Sequence, residues 1–265
     1  MVPFNGDGEA GSGCGGGAAA GPLTGVIAAL PGELGVLGAG RKRAASLLGT
    51  PIYETRLDAG GRVVAVVSGV GKVAAASAAA LLIAEGAARI LVVGTCGGLR
   101  ATEGLGDLVH ARKAIQWDLA VRRGRELTAD PELSDAWRAV AGGLQGTILT
   151  ADRPVLRFAE RFRLARAVSR SHPGPVVADM ETAAVGAVAS QAGIPWAALK
   201  VVSDRRPGWM QAFAGAQSTL AGFEEALRAH GGKPADSVPQ LCAALAIGLE
   251  AGPSPARPNR HEFEL

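Results

Sequence analysis

The stretch Arg62–Gly94 reads RVVAVVSGVGKVAAASAAALLIAEGAARILVVG, and its punctuation decides the fold. Arg62–Ser68 is β-branched and closes on Gly69-Val70-Gly71, Val73–Glu85 is an alanine-rich run of helical length, and Ile90–Val93 is a continuous apolar run ending at Gly94. Apolar runs without alternation are the mark of strands covered on both faces, so the stretch reads as strand, helix, strand within a sheet buried from two sides. Working outward, Thr24–Leu30 (TGVIAAL) and Trp196–Val202 (WAALKVV) share that character, and Asp107–Ala114, Gly146–Thr150 and Pro175–Val177 are weaker strand candidates. Met180–Ala192 reads as a buried helix, Pro131–Ala141 and Leu220–His230 as amphipathic ones. This order predicts an α/β protein, a mixed sheet with helices on both faces. Ligands of such sheets bind where strands end, so the residues just past each strand are the ones to weigh for function.

The 265 residues are 48% hydrophobic but only 4% aromatic, with 38 glycines, so the core packs small side chains. Glycine and proline make up about a fifth of the chain, short of the roughly 25–30% that marks low complexity. Residues 1–21 are rich in Gly and Ala without apolar periodicity and are expected to be a disordered leader; 252–265, with three prolines, a loose tail; and 22–251 a single folded domain. A net charge of +3, with no Lys/Arg cluster interleaved with aromatics, argues against a nucleic-acid partner. The longest apolar run, Val73–Ala84, is interrupted by Ser77 and is far shorter than the roughly 20 residues of a membrane span. No basic and apolar leader is present, so the expected location is the cytoplasm. Three cysteines, Cys14, Cys96 and Cys242, without CxxC spacing, and four histidines, His110, His172, His230 and His261, without metal spacing, predict neither disulfide framework nor metal, and no cofactor is expected.

Several strand ends carry chemistry. Gly69-Val70-Gly71-Lys72-Val73-Ala74 fits GxGxxA between a strand and a helix, the dinucleotide pattern, but that reading needs an acid at the end of the next strand, where Val93-Gly94-Thr95-Cys96 stands. A Walker loop fails because Val66 occupies the first glycine position and Val73 follows the lysine. Gly94-Thr95-Cys96-Gly97-Gly98-Leu99 directly follows a buried strand; three glycines there let backbone approach a ligand, or simply make a tight turn. Asp179-Met180-Glu181-Thr182 opens an apolar helix, as a cap or as a carboxylate directed into a cleft, where burial demands a partner such as a sugar hydroxyl. Ser203-Asp204 ends WAALKVV, and Glu33 lies three residues past TGVIAAL; each is a helix-end cap or a functional acid.

In collinear order GVIAALPGE, SGVGKVAAA, VVGTCGGL with GLGDLV, ADMETAAV and KVVSD resemble the nucleoside phosphorylase and nucleosidase family, nearest the methylthioadenosine/S-adenosylhomocysteine nucleosidases. The resemblance implies a three-layer, nucleoside phosphorylase-like fold, a small purine nucleoside as ligand, and a homodimer. It implies Asp204 as the acid that protonates the departing purine and Glu33 as the base for the attacking water. It places Glu181 on the ribose hydroxyls, Met180 under the sugar, and Thr95, Cys96, Gly97 and Ser203 around it. The chemistry follows two-carboxylate glycoside hydrolysis with a nitrogen leaving group.

Water or phosphate as nucleophile depends on cations. The family's phosphorylases hold phosphate with arginines, one shortly after a first-strand Pro-Gly-Asp-Pro and one in the strand before the glycine-rich segment. Here Pro31-Gly32-Glu33 is followed by Leu34-Gly35-Val36, and Val92 takes the second position, which favours hydrolysis; Arg41, Lys42 and Arg43 folding back would restore phosphorolysis. The family's base-stacking aromatic, a couple of residues after the Asp of Thr150-Ala151-Asp152, is replaced by Arg153-Pro154-Val155, with Phe158 a turn later. The segment 146–182 also resembles nucleoside-cleaving enzymes of hopanoid synthesis, whose substrate carries a large apolar 5′ group, and 205–233 would line that side. A non-catalytic nucleoside-binding protein is the alternative from outside the enzymes.

Overall fold

The computed structural model describes residues 22–204 apart from 35–39, 44–48, 57–61, 101, 105–106, 122 and 156–157, and without the side chains of Val140, Phe158 and Asp204. The expected helix Leu220–His230, the two terminal segments, the 205–233 wall, and Cys14, Cys242, His230 and His261 lie outside the described residues.

The elements in order are β1 (Leu23–Ala28), β2 (Arg41–Lys42), β3 (Ile52–Arg56), β4 (Arg62–Val67), α1 (Lys72–Ala84), β5 (Ala87–Gly98), β6 (Leu108–Gln116), β7 (Glu126–Thr128), α2 (Pro131–Ala141), β8 (Leu144–Thr150), α3 (Phe158–Ser169), β9 (Val176–Asp179), α4 (Thr182–Gln191) and β10 (Trp196–Asp204). They form one mixed sheet in the order β10-β6-β8-β9-β5-β1-β4-β3-β2, with β7 on β6. A further pairing of β10 with β5 closes β5, β10, β6, β8 and β9 into a ring, which no periodicity in the sequence announces. β4, β1, β5 and β10 run parallel, so Val67, Ala28 and Asp204 end on one edge.

The buried strands divide their side chains between two layers with period two. Ile27, Val64, Val66, Ile90, Val92, Trp196 and Ala198 pack with α1 and α4, whereas Val26, Val63, Ala65, Leu91, Val93, Ala197 and Leu199 face Trp137 of α2. Both faces are covered, as the unalternating runs require. The scarcity of large residues has a geometric counterpart in α4: a Cβ on Gly186 would lie 2.7 Å from the Trp196 ring. That glycine lets the helix approach the sheet.

One expectation is revised. The strand expected to stop at Gly94 continues to Gly98, so Thr95-Cys96-Gly97-Gly98 is sheet rather than turn. Thr95 and Cys96 pair with Val201 and Val202, and Gly97 and Gly98 with Ala178 and Val177. Gly98 packs so closely that a Cβ there would be 3.1 Å from Glu103 Cβ and 3.3 Å from Val202 Cγ1. Gly98 thus leaves room for the side chains of Glu103 and Val202.

Candidate active site

After β1 the chain makes a short helical turn over 31–34 that carries Glu33 back to the strand ends. Its Oε2 accepts from the amides of Ala29 and Leu30, both at 3.0 Å, and its Oε1 from the amide and hydroxyl of Thr95, both at 2.9 Å. Four donors make this buried carboxylate affordable. Gly94 makes it possible: at φ +152° a Cβ would lie 3.0 Å from the Glu33 carboxyl carbon and Oε1. Sequence reading set Glu33 and Thr95 on separate strand ends; the structure joins them in one contact.

Lys200 stands in register with Gly94 on β10 and is 1% exposed. Its Nζ lies 3.0 Å from Asp179 Oδ2 and 3.8 Å from Glu181 Oε2. Burial works against its charge, but Asp179, Glu181 and Glu33 outweigh that and raise its pKa above the usual lysine value. Asp179 also accepts from the Thr150 hydroxyl at 2.5 Å and from the Thr182 amide at 3.0 Å, so the end of β9 is tied to β8, α4 and β10. Of the acidic pair opening α4, Asp179 caps the helix.

Glu181 does not cap. Buried, with no hydrogen bond to its own helix end, it accepts from the Gly71 amide (3.1 Å) at Oε1 and the Met180 amide (3.2 Å) at Oε2. Burial raises its pKa from 4.5 to about 7, with Asp179 and Glu33 adding to the rise and Lys200 and the Gly71 amide opposing it. The Gly69–Lys72 turn therefore spends an amide on a protein carboxylate, where a dinucleotide site would spend it on phosphate. Near neutral pH Glu181 exists both with and without its proton, and can accept from a diol when ionised.

Met180 is half-buried beside Glu181. Cys96 packs its side chain in the core, leaving its backbone to the site, where its carbonyl accepts from Ser203 Oγ at 3.3 Å. Asp204 ends β10 opposite Gly97. Glu33, Thr95 and Glu181 thus gather around Lys200, with Gly97, Ser203 and Asp204 along the adjacent β5–β10 edge. Where the aromatic was missing, Arg153 sits over the Trp117 ring at 5.5 Å and pairs with Glu160 at 2.9 Å. Among the described residues no group of three or more His, Cys, Asp or Glu is placed to hold a metal ion, and no helix is long and apolar enough to cross a membrane.

Sequence reading missed Lys200 as a site residue. The signal was present: a single charge inside WAALKVV, a run otherwise apolar, must be paired if both faces are covered. Asp179 was noticed only as half of an acidic pair.

Three carboxylates, those of Glu33, Asp179 and Glu181, thus lie around one buried lysine of β10. The chain belongs to the phosphorylase superfamily, whose family model matches residues 24–235. Among solved structures it is similar to S-adenosylhomocysteine nucleosidase from Streptococcus pyogenes, with 24% identity, 90% of this chain and all of that one covered, and a TM-score of 0.68. The 5′-methylthioadenosine/S-adenosylhomocysteine nucleosidase from Neisseria meningitidis matches at 24% identity, 86% and 99% coverage, and a TM-score of 0.67. Futalosine hydrolase from Helicobacter pylori matches at 18% identity, 78% and 98% coverage, and a TM-score of 0.65. At these identities the likeness establishes the fold.

Proposed function

We propose that this enzyme hydrolyses the N-glycosidic bond of a 5′-substituted adenine nucleoside, releasing adenine. The observation that carries the choice of water over phosphate is the setting of Lys200. The site's buried cation is surrounded by Glu33, Asp179 and Glu181, a field that repels a dianion. The cations that would rescue phosphorolysis are engaged elsewhere: Arg41 pairs with Glu54 at 2.9 Å and Arg43 with Glu85 at 2.5 Å, while Lys42 lies exposed on the edge strand β2.

In this reading Glu181, ionised, accepts the ribose hydroxyls while the Gly71 and Met180 amides fix its orientation, and Met180 packs against the sugar. Glu33 orients and deprotonates the water. The backbone amides and Thr95 fix the position of its carboxylate. Asp204 supplies the proton to the leaving purine. The nucleosidases it resembles in fold support this assignment, and the compounds they are named for, 5′-methylthioadenosine, S-adenosylhomocysteine and futalosine, are the panel to assay. Adenine and free 5-methylthioribose from methylthioadenosine without phosphate would support hydrolysis. Cleavage only with phosphate, yielding a sugar 1-phosphate, would replace it with phosphorolysis, and binding without cleavage would favour a nucleoside-binding protein.

The same reading carries a homodimer. Helix α1 has no charge between Lys72 and Glu85, and Val70 and Val73 stand 54% and 80% exposed at its start. A helix apolar all round is normally covered, and a second copy is the proposed cover. Sedimentation showing monomer at working concentration would remove that part.

A further inference from the structure

The lysine of the Gly69–Lys72 turn has no part in the chemistry above, yet it joins three segments at the edge of the site. Its amide donates to Asp152 Oδ1 at 3.2 Å, and its Nζ lies 2.8 Å from Asp118 Oδ1 and 3.3 Å from Asp152 Oδ2. The amide of Asp152 in turn donates to Asp118 Oδ2 at 3.1 Å. Asp118 follows β6, Asp152 follows β8, and Lys72 opens α1, immediately after the Gly71 amide that holds Glu181.

The segment Ala151–Val155 is the one that carries Arg153-Pro154-Val155 in place of a ring. It is fastened at its other end too: Arg161 of α3, 5% exposed, donates to Val155 O at 2.8 Å and to Gly98 O at 3.1 Å. Its ends, Ala151 and Val155, are buried, and between them the exposed 152–154 stretch, which has no large ring to pack, is held by polar ties. Arg161 ties it to the end of β5, and Lys72 ties it to the turn that orients Glu181.

We infer that Lys72 is a positioning residue, a latch that holds the 151–155 segment against the Glu181 turn and so sets the separation of the base side from the ribose side. The Asp152 amide bridges to Asp118, but only the ammonium offsets the charge of the two carboxylates. Removing it leaves them in mutual repulsion, and the more exposed side chain, that of Asp152, is the one expected to move away. Single exposed ion pairs add little to stability, so the effect falls on placement more than on folding.

The catalytic readout rests on the nucleosidase reading; the structural readout does not. In Lys72→Met, KM for methylthioadenosine is expected to rise about tenfold with kcat within about threefold, the scale of a small misplacement of a substrate wall. Hydrogen exchange at the amides of 151–155 is expected to quicken, with β4 and β10 unchanged. Adding Asp118→Asn to Lys72→Met removes the repulsion and should recover most of both changes, which a general loss of packing would not. Unchanged KM and unchanged exchange in Lys72→Met, or no recovery in the double variant, would overturn the latch. If the wild-type protein cleaves none of the panel, the nucleosidase reading fails while exchange still decides the latch.

Discussion

Glu181 offers a test that needs no substrate. Its pKa is about 7 in the folded protein against 4.5 in an unconstrained chain, so the native state holds the proton more tightly than the unfolded state does. For a carboxyl group raised in this way the stability contribution is complete below 4.5 and declines as pH climbs toward 7, because the unfolded chain releases its proton first. A rise from 4.5 to about 7 corresponds to a stabilisation on the order of 3 kcal/mol in full, most of which is lost between pH 5 and pH 8. Glu181→Gln removes the titration while keeping an oxygen that can accept from Gly71. Thermal unfolding at the two pH values is the assay. For a folded unit of this size a loss of about 2–3 kcal/mol corresponds to roughly 5–10 °C, so the melting temperature of the variant should gain that much on the wild type between pH 5 and pH 8. A difference between the two proteins that does not change with pH, or one that moves toward the wild type as pH rises, would refute the placement of an uncompensated carboxyl group beside Asp179 and Glu33. The same titration predicts that substrate affinity improves from pH 6 to pH 8, since the ionised form accepts the hydroxyls.

Lys200→Met should destabilise by about 3–5 kcal/mol, because it leaves Asp179 buried without its counter-charge; urea unfolding measures it, and a loss below 1 kcal/mol would contradict the pairing. Gly94→Ala introduces a Cβ at 3.0 Å from the Glu33 carboxyl, at a φ unfavourable to alanine, so a loss of about 1–3 kcal/mol together with collapse of turnover is expected, and normal kcat would separate Glu33 from catalysis. Asp204→Asn should lower kcat by about 10²–10⁴-fold while adenine still binds by calorimetry; near-wild-type turnover would remove the acid assignment.

The strands legible in the sequence are those whose two faces are both covered. In Arg62–Val67 and Trp196–Ala198 every residue but the first arginine is apolar because one parity meets α1 and α4 and the other meets α2. The continuation of β5 through Thr95-Cys96-Gly97-Gly98 was not legible, since glycine is depleted in strands and its presence reads as a turn. Only the closed ring, with β9 and β10 both pairing onto that stretch, gives small residues a reason to be extended there. Helix α3 was missed for another reason: Phe158–Ser169 carries arginines at 161, 163 and 166, which reads as a solvated loop until Arg161 is seen turned inward onto Gly98 and Val155.

The site shows the same division between what a residue type announces and what only topology assembles. Acids at strand ends announce themselves, so Glu33 and Glu181 stand out as candidates in the sequence. Their relation could not, because Gly94, Lys200 and Thr95 enter through register: Gly94 lies beside Lys200 across β5 and β10, and its missing side chain is the space in which Glu33 meets Thr95. The three positions constrain one another. A larger residue at 94 expels the carboxylate, loss of that carboxylate removes one of three charges that hold Lys200 ionised, and a neutral residue at 200 leaves Asp179 uncompensated beside Glu181. A cluster with one cation among three carboxylates keeps a net negative field even when Glu181 carries its proton. That field is the physical basis of the proposed hydrolysis: it favours positive charge on a ribosyl transition state and works against binding an anionic nucleophile.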